Sequence, residues 1–161
     1  MRNPKDTVVS WHHFNRKLET SIDAEHVTPW DEFVHRFLDG KVLLGDFYDH
    51  ALGWWQMRDD PHFLFLKYED MNKDLSGAVR KIKDFLDISL DDVTTASIVE
   101  SCTFANLTSA WADSGNQTKT LLARKGAIGD WKNSFSESQN KAFDAKYRER
   151  LEGTGLQFDF E

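Results

Sequence analysis

Residues 124–135 have the sequence RKGAIGDWKNSF, which is the most informative stretch of the chain. Its first six residues contain two cations, Arg124 and Lys125, and two glycines, Gly126 and Gly129. Glycines allow backbone N–H groups to approach an anion closely, and neighbouring cations supply the attracting charge. The stretch therefore predicts an anion-binding turn. A solvated turn before the last helix is the alternative that these residues alone leave open.

The composition excludes several classes of protein. With 161 residues, of which 40% are hydrophobic and 29% charged, we expect one globular domain covering residues 1–161. The net charge of −7 argues against a nucleic-acid partner, and the apolar runs are too short to span a membrane. The single cysteine, Cys102, excludes an internal disulfide and suits a reducing compartment, so we expect a cytoplasmic protein.

The first residues predict the start of a helix. Asn3 is a good N-cap, Pro4 fits the first helical position, and Asp6 follows where a carboxylate can reach back to the cap. A phosphate suits such a helix start, where Arg2 could bind it bidentately and Ser10 could donate its hydroxyl. A capped helix with a surface arginine is the alternative. Because the helix begins without a lead-in, we expect further chain upstream.

Hydrophobic periodicity predicts a mostly helical protein with one strand. Further helices are predicted at residues 28–40, 47–55, 74–87, 89–99 and 136–151, with capping boxes at 89–92 and 136–139. Residues 62–68 are apolar on both faces, which predicts a buried parallel strand, and residues 108–120 predict a long surface loop. A lone parallel strand lacks hydrogen-bond partners, so either its neighbours are missing or the segment is a helix.

Two further stretches carry candidate ligand-binding side chains. Tyr68 lies at the end of the predicted strand, where open α/β sheets bind ligands and an aromatic ring can face an adenine. Cys102, Thr103 and Phe104 place a ring suited to stacking beside small polar groups. A core tyrosine and an ordinary surface segment remain the alternatives. The six histidines show no metal-ligand spacing, so we expect no metal.

Three motifs, in this order, resemble those of the cytosolic sulfotransferases. They are RNPKD at residues 2–6 with Ser10, KYEDM at residues 67–71, and the stretch at residues 124–135. The likeness runs through the whole chain but covers only the C-terminal half of such an enzyme. It implies an α/β fold class: the C-terminal portion of a P-loop-like parallel-sheet sulfotransferase fold, mostly helical with one or few strands.

The resemblance implies an enzyme that transfers a sulfonate group from 3′-phosphoadenosine 5′-phosphosulfate to a hydroxyl or amine of a small-molecule acceptor, without a metal. It assigns the 3′-phosphate of this co-substrate to Arg2, Ser10, Arg124, Lys125 and Gly126. Tyr68 is then expected on the adenine side. Phe104 is expected to stack near the base, with Cys102 and Thr103 beside it.

Two departures from the family pattern bear on these assignments. The family usually has threonine where Cys102 stands, which calls one hydrogen bond to the nucleotide into question. Its dimer motif, Lys-x-x-x-Thr-Val-x-x-x-Glu, is altered in this chain at Ser136, Glu137 and Lys141. Glu137 places a charge where an apolar contact is expected, and Lys141 places a positive charge where the motif has a negative one. We therefore do not expect the family's homodimer.

Two family elements are missing from these 161 residues: the 5′-phosphosulfate loop and the segment with the histidine general base. In the family both precede the RNPKD motif. No catalytic residue is therefore assigned, and we expect the chain to be part of a longer sulfotransferase and inactive by itself. Two alternatives remain, namely a non-catalytic module that binds 3′-phosphoadenosine nucleotides and a helical interaction protein that docks through an exposed half-core.

Overall fold

The computed structural model describes residues 1–23, 25, 27–114, 122 and 124–161. They form two compact units: the first combines Met1–Phe65 with Ala127–Glu161, and the second is Leu66–Gly126. The described residues are mostly helical and contain no β-strand. None of the helices in this part of the chain is long and apolar enough to cross a membrane.

The helices of the described residues are divided between the two units. In the first unit they are α1 (Pro4–Ile22), α2 (Trp30–Leu38) and α3 (Phe47–Trp55). In the second unit they are α4 (Tyr68–Lys73), α5 (Leu75–Phe85), α6 (Asp92–Ser101) and α7 (Phe104–Asp113). The chain returns to the first unit with a 3₁₀ helix (Asp130–Asn133) and α8 (Glu137–Leu151).

Two helix starts agree with the sequence analysis. The Asn3 side chain accepts the N–H of Asp6 at 2.8 Å, and Pro4 occupies the first position of α1. At the start of α8, Ser136 and Gln139 form a reciprocal capping box. Both predictions are confirmed. Such caps can be predicted from sequence because their partners lie only three residues apart.

An aromatic-rich core holds the first unit together. Phe143 of α8 is fully buried, stacks against Phe37 of α2 with 5.8 Å between ring centroids, and meets Phe135 at 4.9 Å. Leu151, about two turns further along α8, is buried as well. The core residues of this unit are Val8, Val9, Phe33, Val34, Phe37, Phe47, Tyr48, Ala51, Phe143, Leu151, Leu156 and Phe158.

In the second unit, four consecutive helices pack in sequence order. The Asp74 carboxylate caps α5 by accepting the N–H of Gly77 at 2.7 Å. The capping box predicted at residues 89–92 is wrong, because α6 begins later. Asp91 rather than Ser89 is its N-cap and accepts the N–H of Thr94 at 2.7 Å. Both residue types cap helices well, so the sequence did not discriminate between them.

The strand predicted at residues 62–68 does not form. Residues 63–67 have neither helical nor strand structure, and their side chains are half-buried rather than buried. The alternative interpretation as a helix is wrong for these five residues too. Tyr68, expected at a strand end, is instead the first residue of α4. A strand requires backbone hydrogen bonds to a neighbour, and no described segment pairs with this one.

The surface loop predicted at residues 108–120 is also wrong over its first part. Residues 108–113 belong to α7, whose N-cap Thr103 accepts the N–H of Asn106 through its hydroxyl. The polar composition that suggested a loop fits a helix on the surface: the Thr108 hydroxyl donates to the backbone oxygen of Phe104 at 2.8 Å. Residues 115–120 lie outside the described residues.

Candidate functional site

The residues assigned to the candidate site are divided between the two units. Arg2 and Ser10 belong to the first unit. The remaining residues all belong to the second unit: Tyr68, Cys102, Thr103, Phe104, Arg124, Lys125 and Gly126.

Arg2 directly precedes the N-cap of α1 in the first unit. Its Nη2 donates to the backbone oxygen of Ala127 at 2.6 Å and lies 3.7 Å from Oδ2 of Asp6. The Arg2 side chain is 20% exposed, and it borders a cavity of about 280 Å³ together with Thr7 and Trp11. The guanidinium is therefore oriented at the helix start, beside space that a ligand group could enter.

Asp6 connects α1 to the 124–135 stretch. Its fully buried carboxylate accepts the N–H of Gly129 at Oδ2 (2.8 Å) and the N–H of Trp131 at Oδ1 (3.0 Å). The Asn3 amide also donates to Oδ2, at 2.9 Å. Gly129 has a φ of +81°, a left-handed conformation that glycine adopts readily. The backbone of residues 129–131 is therefore fixed against the start of α1.

Sequence reasoning missed this role of Asp6. It treated the carboxylate as a local cap partner, since capping patterns concern neighbours in sequence only. The signal that could have found it is the position of Asp6 one turn into a helix with buried apolar neighbours. A buried carboxylate there needs several donors, and the glycine-rich 124–135 stretch offers backbone N–H groups.

Lys5, within the RNPKD motif, is buried and has structural partners. Its Nζ donates to Oδ1 of Asn140 at 2.6 Å and to Oδ1 of Asp144 at 2.5 Å. It also lies 4.3 Å from the centroid of the Trp131 ring, a cation–π distance. Lys5 thus joins α1 to the 3₁₀ helix and to α8, and its charge is neutralised inside the first unit.

Ser10 lies in α1 and is half-buried. It lies about one turn after Thr7, whereas the residues of α1 that border the cavity are Thr7 and Trp11. The structure thus places Ser10 and Arg2 on one helix and its immediate N-terminal extension.

In the second unit, the structure brings two candidate residues into contact. Gly126 has a φ of +66°, and a Cβ placed there would lie 2.4 Å from Cδ2 of Phe104. The Phe104 ring therefore occupies the space that any other residue at position 126 would need. The backbone oxygen of Gly126 accepts a hydrogen bond from Nδ2 of Asn72 at 3.2 Å. Residues from three separate stretches of sequence thus meet at Gly126.

The residues beside Phe104 serve the ends of two helices. Cys102 is the C-cap of α6 and is exposed. The Thr103 hydroxyl caps α7 and also donates to the backbone oxygen of Glu100 at 2.9 Å. Thr103 therefore has a structural function at this position, whereas Cys102 is an exposed residue.

The two cations predicted to bind an anion lie next to Gly126 in sequence. Arg124 is half-buried and Lys125 is exposed. Tyr68, at the start of α4, is half-buried and shares this short helix with Asn72. Within the described ranges, the structure contains no cluster of His, Cys, Asp and Glu side chains that could hold a metal ion.

Comparison with known proteins identifies the family. A family model described as a sulfotransferase domain matches residues 1–155. The chain belongs to the sulfotransferase family. Sulfotransferase 6B1 of Danio rerio is 41% identical over 155 residues, which are 96% of this chain and 51% of that protein. Sulfotransferase 1C2 of Homo sapiens is 36% identical over 172 residues, covering 99% of this chain and 56% of that protein.

This sulfotransferase-family chain spans about half the length of the curated relatives it matches. Among solved structures, mouse sulfotransferase SULT7A1, crystallised as a complex with PAP, superposes with a TM-score of 0.84 and 35% sequence identity. That match covers 95% of this chain and 56% of the mouse chain. The predicted family is therefore confirmed, and the mostly helical structure is consistent with part of a sulfotransferase fold.

Proposed function

We propose that this chain is the nucleotide-holding part of a sulfotransferase. The complete enzyme would transfer a sulfonate group from 3′-phosphoadenosine 5′-phosphosulfate to a hydroxyl or amine of a small molecule. The family match supports transferase chemistry, and the mouse relative complexed with PAP supports this class of nucleotide. The co-substrate, when bound, supplies the sulfonate group, and adenosine 3′,5′-bisphosphate is the leaving group of the transfer.

The contact between Phe104 and Gly126 carries the proposal. It places an aromatic ring against a glycine that directly follows two cations, Arg124 and Lys125. Nucleotides need both features, because bases stack on aromatic rings and phosphates bind cations and accessible backbone N–H groups.

The donor set suits a phosphate chemically. In the second unit, Arg124 can donate two parallel hydrogen bonds to a phosphate, and Lys125 adds a point charge. Gly126, in a left-handed conformation that glycine adopts readily, can add its backbone N–H as a further donor. For Arg2 and Ser10 of the first unit we propose phosphate binding, and for Tyr68 of the second unit the adenine side, as the family resemblance implies.

Binding of adenosine 3′,5′-bisphosphate (PAP) by the purified chain tests the proposal. Isothermal titration should show binding that Arg124→Ala weakens roughly tenfold to 100-fold, the loss expected for a charge-assisted hydrogen bond. Lys141→Ala is the matched control, because this cation lies on α8 and pairs with Glu137 at 2.6 Å. Absence of binding, or equal effects of the two substitutions, would contradict the proposal.

We also propose that the chain by itself transfers no sulfonate, since no catalytic residue is assigned within it. General acid–base catalysis and a preorganised anion site each contribute orders of magnitude to the rate. Incubation of the purified chain with the sulfonate donor and a simple phenol should yield no product above background. Product formation at a rate proportional to protein concentration would overturn this part. The proposed location is the cytoplasm, which suits a protein with one exposed thiol.

A further inference from the structure

Asn72 is an exposed residue of α4 to which sequence reasoning gave no role. Its Nδ2 donates to the backbone oxygen of Gly126 at 3.2 Å, across 54 positions of sequence. Both residues belong to the second unit. The contact therefore connects α4 to the turn at residues 124–126.

Two restraints act on Gly126. The Asn72 amide holds its carbonyl oxygen, and because a peptide group is planar, this fixes the orientation of the whole peptide plane. The Phe104 ring fills the space beside the Cα of Gly126, because a Cβ placed on this glycine would lie 2.4 Å from Cδ2 of Phe104. Glycine otherwise has the greatest backbone freedom of any residue. Restraint before a ligand arrives reduces the entropy lost on binding.

The position of Asn72 in α4 links this restraint to another candidate residue. Tyr68 and Asn72 are four residues apart in one helix, so they lie on the same face. The helix face that holds Gly126 thus also carries the tyrosine assigned to the adenine side. Asn72 is therefore placed to align two parts of the proposed nucleotide site within the second unit.

We propose that Asn72 is a positioning residue for the turn at residues 124–126. Its side-chain amide holds Gly126 in the conformation that receives the 3′-phosphate, and so raises the preference for nucleotides that carry this phosphate. The inference rests on the proposed function, because it assigns the ligand of the turn to a 3′-phosphoadenosine nucleotide.

The test compares two nucleotides with the full chain and two variants. PAP carries the 3′-phosphate and adenosine 5′-monophosphate lacks it. Asn72→Ala should weaken PAP binding roughly threefold to tenfold, the effect of losing one neutral hydrogen bond, and leave adenosine 5′-monophosphate binding within about twofold. Asn72→Gln retains an amide donor and should keep most of the affinity for PAP. Because Asn72 is exposed, both variants should unfold within about 2 °C of the unaltered chain.

The ratio of the two dissociation constants separates positioning from a general structural effect. Equal weakening of both nucleotides by Asn72→Ala, or no weakening of either, overturns the role of Asn72 while leaving the proposed function intact. Asn72→Gln behaving like Asn72→Ala would also count against the hydrogen bond. If the unaltered chain binds the two nucleotides equally, or binds neither, the proposed 3′-phosphate site fails and this inference fails with it.

Discussion

The N–H of Trp131 donates a hydrogen bond of 3.0 Å to Oδ1 of Asp6, although 125 positions of sequence separate the two residues. The other carboxylate oxygen accepts the N–H of Gly129 at 2.8 Å. The Asp6 side chain is fully buried, so water cannot readily replace it as an acceptor. The second half of the glycine-rich stretch is therefore held in place by the first helix of the chain.

Replacing Asp6 should destabilise the first unit. Asp6→Ala leaves two backbone N–H groups without their acceptor and removes the carboxylate beside Arg2, which should cost about 2–4 kcal/mol of unfolding free energy. Urea denaturation measures the difference. Asp59→Ala is the control, because that carboxylate is 85% exposed and should change stability by less than about 0.5 kcal/mol. Similar losses for both variants would refute the role of Asp6.

His12 gives the first unit a specific pH dependence. Its ring is 6% exposed and lies 5.2 Å from the rings of Trp30 and Phe33. Burial lowers the His12 pKa below the 6.5 of a free imidazole, and the hydrogen bond to the backbone oxygen of Thr28 only partly opposes this. The unfolded chain therefore binds a proton more tightly than the folded chain does at this residue.

The charged neighbours of His12 lie on its own helix. Arg16 lowers its pKa further and Glu19 raises it. Since the folded pKa is depressed, the stabilisation by neutral His12 is present above about pH 6.5 and is lost as the pH falls through the folded pKa.

Comparing the unfolding free energy at about pH 7.5 and about pH 5 should show a smaller loss for His12→Gln than for the unaltered chain. His62→Gln, at a 91% exposed side chain, should keep the full loss. An NMR titration that places the His12 pKa at or above 6.5 would exclude this explanation.

Local sequence signals predicted the helices better than the remaining structure. Asn3 with Asp6, and Ser136 with Gln139, could be predicted because each pair lies within a single helical turn. Residues 63–67 could not, because their apolar pattern indicates burial but a strand also needs a partner elsewhere in the chain. Residues 108–113 were misread because small polar side chains fit either a loop or a surface helix.

The candidate site shows the same division. Phe104 and Gly126 were each named from the sequence, by resemblance or by glycine chemistry, but their contact depends on packing that no local pattern encodes. Asn72 had no signal at all, since an asparagine on an exposed helix face is ordinary. Asp6 was predicted only as a cap partner of Asn3. Its hydrogen bonds to the distant N–H groups of Gly129 and Trp131 were missed, because a local cap already accounts for an aspartate at this position.

Cys102 offers a test of the nucleotide assignment by gain of affinity. It is exposed and directly precedes Thr103, at a position where the family usually has threonine. If this position faces the nucleotide, Cys102→Thr supplies a hydroxyl donor and should tighten PAP binding about twofold to tenfold. Cys102→Val has nearly the shape of threonine without the hydroxyl, so it should not. Isothermal titration that finds equal affinities for the two variants would remove Cys102 from the proposed site.

The C-terminal helix provides a test of oligomeric state. On α8, Nζ of Lys141 lies 2.6 Å from Oε1 of Glu137, and both side chains are largely exposed. The two charged residues among the three departures from the family's dimer motif thus neutralise each other within one helix, which supports the proposal that this chain does not form the family's homodimer. Sedimentation of the unaltered chain should therefore give the mass of one chain.

Restoring the motif should reverse this state. The triple variant Ser136→Thr, Glu137→Val and Lys141→Glu recreates the family pattern after Lys132, replacing a charge with an apolar side chain, and should shift sedimentation toward a dimer. Lys141→Glu alone is the control: it leaves Glu137 in place, sets two like charges four residues apart on one helix, and should remain monomeric. A dimer formed by the unaltered chain would contradict the proposal that the family's homodimer does not form. A triple variant that stays monomeric would show that the altered motif is not what prevents association.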